Sequence, residues 1–460
     1  MFYFRDDEKQ KLRSFRDNER RKAMAIYGRR RAGKTELVLD FIAKEKNTDC
    51  LYYQCTSFDY NTCLQDYLSV VKMKFPDDPI LDSLQSFRDV FVYLEKAYDH
   101  QLLVFIDEFP FLCRKNENAV IEFQWIIDHG LHRQKLVLLG SNLSFMKQQI
   151  NDMAAPLYGR FDEIMEIQPF TFSEVHQLFP AFADAAEVYA MTGGVAQYVM
   201  FFKEYRSVAS AADTLFFDKN GRLLQEASNL LMQEVRDITT YAAILRTIAG
   251  GEKDSGQIAA GCGMDSRGVF SYLNKLIDLG ILTTVPNSLS AKKREKRFKI
   301  ADMLFRFHYT FLEPNMSAIT ALGPRSRKHI LDNRYSEYLG FVYEDIIRGS
   351  CFELAAAGTL PFMPLTVGKW WGNVSEEGVW HESELDLIAY DDRNIIIGEC
   401  KYRNKKVGLT ELNALRAKAG FVSVKNRRIY YLLASKSGFT PSLMERADND
   451  VVLIHEDKVL

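Results

Sequence analysis

The chain has 460 residues, 47% hydrophobic and 26% charged, with a formal net charge of -2. That length is more than one ordinary core needs and fits about two or three domains, and the composition excludes a disordered or fibrous class. Near-neutral charge gives no overall pull toward nucleic acid or an anionic surface, so any such binding must come from a local patch.

The opening residues, MFYFRDDEKQKLRSF, mix acidic and basic side chains without an apolar segment and do not read as a signal peptide. Apolar runs such as 102–106 are far too short to cross a bilayer, so no membrane segment is expected. Seven cysteines (Cys50, Cys55, Cys63, Cys113, Cys262, Cys351, Cys400) are scattered, odd in number and never spaced as paired metal ligands. A reducing, cytoplasmic compartment is the simplest reading.

In chain order, short β-rich runs at 23–27, 51–55, 102–106 and 136–139 alternate with amphipathic stretches. This predicts an α/β domain with a parallel sheet covered by helices on both faces. From about 173 to 235 the pattern is helical, and 241–310 reads as three helices followed by two strands around a polar loop. Helical character returns up to 354–357, and 379–402 reads as strands. The expected partition is a nucleotide-binding domain over 1–172, a helical subdomain over 173–235, a winged helix-turn-helix over 236–312 and a mixed α/β domain over 313–460.

The segment Gly28-Arg29-Arg30-Arg31-Ala32-Gly33-Lys34-Thr35 follows the strand AMAIY and opens an amphipathic helix at Glu36. This is the setting a phosphate-binding loop requires. Glycines let backbone N–H groups close on phosphates, the helix N-terminus favours negative charge, Lys34 reaches the β and γ phosphates, and Thr35 offers a hydroxyl to Mg²⁺. ATP with Mg²⁺ is the expected ligand.

QLLVFIDEF places Asp107 and Glu108 at the end of an apolar strand. Asp107 is expected to order the Mg²⁺ shell, and Glu108 to polarise the attacking water or else to cap a helix before Phe109-Pro110. KLVLLGS ends in Ser141 and Asn142, which either sense the γ phosphate or are simple turn residues. Arg160, in PLYGRFDE, either neutralises the γ phosphate or forms a structural salt bridge.

FRDDEKQKL, GRRRAGKT, FIDEFPFL, LLGSNLSFM, PLYGRF and MTGGVAQY together resemble the archaeal-type ATPases, a branch of the AAA-like P-loop NTPases related to the STAND group, over roughly the first 230 residues. The resemblance implies that Phe4-Arg5 lies near the adenine and that Gly193-Gly194 begins the second half of the helical subdomain.

Between 242 and 287, helical spacing, Gly261 and Gly263 between the second and third helices, and Gly280 closing the third give the signature of a winged helix-turn-helix. Its wing carries Lys292, Lys293, Arg294, Lys296 and Arg297 beside a recognition helix over 266–279. Such a basic wing suits the phosphate backbone of DNA. An ordinary basic loop on a packing module has the same composition.

ESELDLIAYDDRNIIIGECKYRN reads as two strands joined by a turn at Asp391-Asp392-Arg393-Asn394. A turn centred between Asp392 and Arg393 sets Asp386 opposite Glu399, two carboxylates that need a cation between them, with Lys401 on the same face as Glu399. In that register Glu384 faces Lys401, so an ordinary cross-strand salt bridge at a solvated edge is the other reading. The order of a helix with Glu344, a strand with Asp386 and then Glu399-Cys400-Lys401 resembles the core of the PD-(D/E)xK (restriction-endonuclease-like) fold, which follows many archaeal-type ATPases. The resemblance implies metal ligation by Asp386 and Glu399 and catalysis with Lys401. The combined expectation is an ATPase coupled to DNA binding and to metal-dependent nuclease activity of the C-terminal domain; the alternative is a nucleotide-switched DNA-binding or signalling regulator with a catalytically inactive nuclease-like fold.

Overall fold

The computed structural model describes residues 3–456 except 47, 77, 290–294, 333, 377 and 425. Lys292, Lys293 and Arg294 of the expected wing therefore lie outside the described residues. Two compact units are formed, one by Met1–Pro169 with Val195–Gln197, the other by Phe170–Gly194 with Tyr198–Leu460.

The first unit is built on β1 (Ala23–Gly28), β2 (Asp49–Gln54), β3 (Leu102–Asp107), β4 (Lys135–Gly140) and β5 (Glu163–Ile167), all parallel, in the order β2-β3-β4-β1-β5. Every residue of β1, β3 and β4 is buried, because helices cover both faces of the sheet. Alternate side chains divide between the two faces. Leu103, Phe105, Val137 and Leu139 meet Leu12, Phe15, Leu37 and Phe41 on one side, while Val104, Ile106, Leu136 and Leu138 meet the helices Tyr60–Lys72, Phe87–Ala97 and Glu117–Trp125 on the other. The edge strand β5 was not expected from sequence; with Ile164 and Glu166 exposed, only a short alternating pattern is left. Lys135, fully buried at the start of β4, donates to Phe15 O and Asn18 O, both at 2.6 Å, and so ties down the end of the helix Asp6–Asp17. Because the strands are parallel, Gly28, Asp107 and Gly140 end β1, β3 and β4 on one edge of the sheet.

In the second unit, the helix Phe182–Thr192 ends on Gly193 (φ 61°), and Gly194 (φ 74°) follows. A Cβ at Gly194 would lie 2.0 Å from Phe170 O, so this close backbone approach requires glycine. Three helices, Ile238–Ala249, Ser255–Cys262 and Val269–Asp278, then precede an antiparallel pair, β6 (Leu282–Pro286) with β7 (Lys296–Ile300). Gly261 lies inside the second helix rather than after it, and Gly263 (φ 63°) caps that helix.

The last sheet runs β12-β11-β10-β9-β8, formed by β8 (Thr366–Glu376), β9 (Val379–Tyr390), β10 (Asn394–Lys401), β11 (Arg428–Ser435) and β12 (Val451–His455). β8, β9 and β10 are antiparallel neighbours, whereas β10, β11 and β12 are parallel and are connected by the helices Leu409–Ala419 and Pro441–Arg446. The helix Tyr335–Gly349 packs on β9 and β10.

Candidate functional site

Gly28 is fixed by its neighbour in β5: a Cβ there would lie 2.3 Å from Ile167 O. Arg31 (φ 65°) and Gly33 (φ 97°) then turn the backbone through left-handed conformations into the helix Lys34–Lys44. Turns of this kind direct successive N–H groups into a concavity suited to an anion. Lys34, 4% exposed, donates to Gly28 O and Arg29 O, both at 2.9 Å. Burial lowers its pKa, opposed by the charges of Glu108, Asp107 and Glu36.

Thr35 Oγ1 donates to Asp107 Oδ2 at 2.6 Å, and Tyr52 OH donates to the same oxygen at 2.8 Å. The N–H of Glu108 takes Oδ1 at 2.8 Å, so the buried Asp107 carboxylate is held on both sides. Tyr52 was not singled out from the sequence. It lies on the strand beside β3, two residues before Gln54, the register partner of Asp107, and nothing in the sequence sets it apart from the neighbouring Tyr53. A hydroxyl and a carboxylate this close are the hard oxygen donors that Mg²⁺ takes, so these residues fit the ion.

Glu108 (φ 53°) precedes the helix Phe109–Cys113, but its side chain makes no cap; it accepts Ser141 Oγ at 2.7 Å instead. Asn142 caps the helix Leu143–Asn151, its Oδ1 accepting from Phe145 N at 2.9 Å. The Arg160 guanidinium is committed to Asp128, with Nε at 2.9 and 3.0 Å from the two carboxylate oxygens. Arg5 reaches Ala32 O inside the loop at 3.3 Å and also donates to Gln168 O, which seats the N-terminal segment on the phosphate loop.

In the second unit, the β9–β10 ladder runs from Ile395↔Tyr390 to Gly398↔Leu387, the register expected from the turn. Asp391 sets it, with Oδ1 accepting from Arg393 N and Asn394 N at 2.7 and 2.5 Å. The paired residues end there, and Asp386, the next residue of β9, accepts the Cys400 N–H through Oδ2 at 2.8 Å. Lys401 Nζ lies 2.6 Å from Glu399 Oε1, and Lys418 approaches the two Glu399 oxygens at 3.2 and 3.1 Å. The cross-strand pair Glu384–Lys401 is not made; Glu384 has Arg297 at 4.0 Å instead.

Glu344 joins this cluster from its helix, with Lys369 at 3.2 Å and Arg348 at 3.5 Å. Burial raises its pKa despite those two cations. The Asp386 carboxyl is pushed up to about 7, by burial first and then by Glu344 and Glu399. Each carboxylate is thus already matched to an ammonium, a guanidinium, an N–H or a proton. Among the described residues, no group of three or more His, Cys, Asp or Glu is gathered so as to hold a metal ion, so this arrangement does not fit a divalent cation.

Of the described residues of the expected wing, Arg297 is docked, whereas Lys296 is exposed. Arg297 binds Glu382 and lies 4.6 Å over the Trp371 ring, Asn287 Nδ2 donates to Trp371 O at 2.6 Å, and Lys296 lies 5.4 Å over Phe298. Among the described residues, no helix is long and apolar enough to cross a membrane.

Residues 2–202 match the family model of an ATPase domain predominantly from Archaea, and residues 308–414 match one described as archaeal and bacterial proteins of unknown function. The chain therefore carries an archaeal-type P-loop ATPase domain. An uncharacterized protein of Methanocaldococcus jannaschii, MJECL04, is 29% identical over 419 residues, covering 88% of each chain. The Walker-type ATPase paby2304 of Pyrococcus abyssi shares the fold at a TM-score of 0.51 and 19% identity, over 67% of this chain and 96% of that one.

Proposed function

We propose that the chain is a Mg²⁺-dependent ATPase whose nucleotide cycle serves a C-terminal region directed at nucleic acid. The observation that carries the first half is the convergence of Lys34, Thr35, Asp107 and Glu108 at the ends of β1 and β3. Among the described residues, the hydrogen bonds of Lys34 go to carbonyls of its own loop, so an arriving phosphate replaces those contacts at little cost. Thr35 and Asp107 would hold Mg²⁺, which supplies charge neutralisation at the β and γ phosphates. Glu108, oriented by Ser141, takes the proton of the attacking water. Phosphate release by purified protein, lost in Lys34→Ala, tests this reading; retained turnover overturns it.

A second reading concerns the C-terminal domain, and the gathering of Glu344, Asp386, Glu399 and Lys401 favours it. In that reading the domain has a nuclease-like fold, although in the arrangement described here each of its carboxylates is already matched by a cation, an N–H or a proton. Nicking of duplex or single-stranded DNA with Mg²⁺ or Mn²⁺, lost in Asp386→Ala, supports this reading, and intact substrates count against it. DNA contact by the wing is tested by salt-dependent binding after charge reversal of Lys292, Lys293 and Arg294. Unchanged binding removes the wing from the account.

A further inference from the structure

Beyond the end of β10 the chain carries a second concentration of charge. β10 and β11 are parallel and their register closes at Lys401↔Ser435, so Tyr402 and Lys436 follow side by side at the carboxyl ends of the two strands. In open α/β sheets that edge is where ligands are received. Glu399 meets Lys418 of the helix Leu409–Ala419, whereas Tyr402 meets Tyr343 of the helix Tyr335–Gly349, with ring centroids 5.4 Å apart. Lys436 Nζ lies 4.6 Å over the Tyr402 ring and donates to Asn404 Oδ1 at 3.1 Å. The Lys436 N–H donates to Lys401 O at 3.1 Å and Ser437 Oγ to Arg403 O at 2.7 Å, so the two segments hold each other in place.

A cavity of about 530 Å³ lies at this edge, a size ordinary for small-ligand sites. Arg403 and Lys436 line it together with Arg327 and Lys328 from the helix Ser326–Leu331. Two of these cations are matched, Arg327 by Asp213 at 2.7 Å and Arg403 by Glu411. Among the described residues, Lys328 and Lys436 make no ion pair, and Arg403 Nε is buried without a hydrogen-bond partner. Of the two lining carboxyls, Asp332 is exposed, and burial raises the pKa of Glu187 although Arg327 and Lys436 oppose the shift. Neither neutralises the two ammonium groups. Tyr335 and Leu339 add aromatic and apolar surface to the same cavity.

We propose that this cavity binds a phosphomonoester, the group shared by a free nucleoside monophosphate and the phosphorylated end of a nucleic-acid strand. Lys328 and Lys436 match its two negative charges, Arg403 Nε supplies a directional N–H, and the aromatic and apolar surface takes the body of the nucleoside. A phosphodiester inside a strand carries one charge and continues on both sides, so it suits neither the second ammonium nor a concave site. The phosphate loop lies in the other unit, and the inference does not depend on cleavage at Asp386 and Glu399.

The test is binding to the full chain while a non-hydrolysable ATP analogue with Mg²⁺ fills the phosphate loop. The probes are AMP against adenosine, followed by calorimetry, and a 3′-labelled oligothymidylate with a 5′-phosphate against a 5′-hydroxyl, followed by fluorescence anisotropy. In at least one pair the phosphorylated form should bind about tenfold or more tighter, and inorganic phosphate should compete with it. Lys328→Ala and Lys436→Ala should each weaken that binding about tenfold, and Arg403→Lys, which keeps the charge but loses Nε, should weaken it less. Lys328 is exposed and Lys436 half-buried, so both variants keep the fold, which their thermal midpoints check. Discrimination with AMP alone assigns the site to a free nucleotide, and discrimination with the strand alone assigns it to a strand end; either supports the proposal. Equal affinity for both members of each pair, no binding of any probe, or full affinity in the Lys328→Ala/Lys436→Ala double variant overturns it, whatever ATP turnover and DNA cleavage show.

Discussion

Thr35 Oγ1 and Asp107 Oδ2 are 2.6 Å apart, although one residue follows β1, the other closes β3, and β4 lies between those strands. The contact exists because a parallel sheet brings the carboxyl ends of its strands to one edge. Thr35→Ala removes one of the two oxygen donors and leaves the fold intact. ATP turnover should fall about a hundredfold or more, with Lys34→Ala at least as severe. Steady-state phosphate release checks both, and turnover near wild type in either variant contradicts the assignment.

Glu108 and Ser141 divide the work on the water. Glu108→Gln keeps the size and the hydrogen bond from Ser141 but removes the base. ATP should still bind while kcat drops by about 10²–10⁴. Ser141→Ala removes only the group that orients Glu108, so its loss should be smaller, about tenfold. Nucleotide affinity measured beside turnover separates the two effects, and a Glu108→Gln variant that no longer binds ATP would assign the residue to binding instead.

What was legible in the sequence was local. The phosphate loop, the buried strand ahead of Asp107 and the Asp391 turn each lie within a dozen residues, and the hairpin register followed from that turn. What was not legible arrives from far along the chain. Lys418 reaches Glu399 from a crossover helix, Lys369 reaches Glu344 from β8, and Glu382 takes up Arg297, which composition alone offered as a free wing cation. Charge can be read from a sequence, but its neutralisation depends on tertiary contacts. The same holds for β5, whose role appears only in what it forbids at Gly28.

Gly28→Ala tests that steric link. The added methyl would meet Ile167 O at 2.3 Å, and a backbone oxygen in a paired strand cannot move aside alone. The variant should lose about 1–3 kcal/mol of stability and bind ATP more weakly, because β1 and β5 must separate at the mouth of the loop. Thermal unfolding with and without ATP reads both, and an unaltered midpoint with full ATP binding would mean that β5 yields freely.

The raised pKa of Asp386 gives a pH prediction with a definite sign. In the unfolded chain this carboxyl titrates near its ordinary value of 3.8, but in the fold it keeps its proton up to about 7, because burial, Glu344 and Glu399 all disfavour its charge. Between those values the folded state binds more protons than the unfolded one, so stability falls as pH rises through that window and levels off above it. Ionised Asp386 above pH 7 then costs on the order of 4 kcal/mol in the absence of a cation. Asp386→Asn, isosteric and uncharged, should abolish this slope. Its thermal midpoint should match wild type near pH 4 and exceed it at pH 8. Parallel midpoints for the two proteins across that range would show that Asp386 is already ionised in the fold, with Lys369 or Lys401 matching its charge.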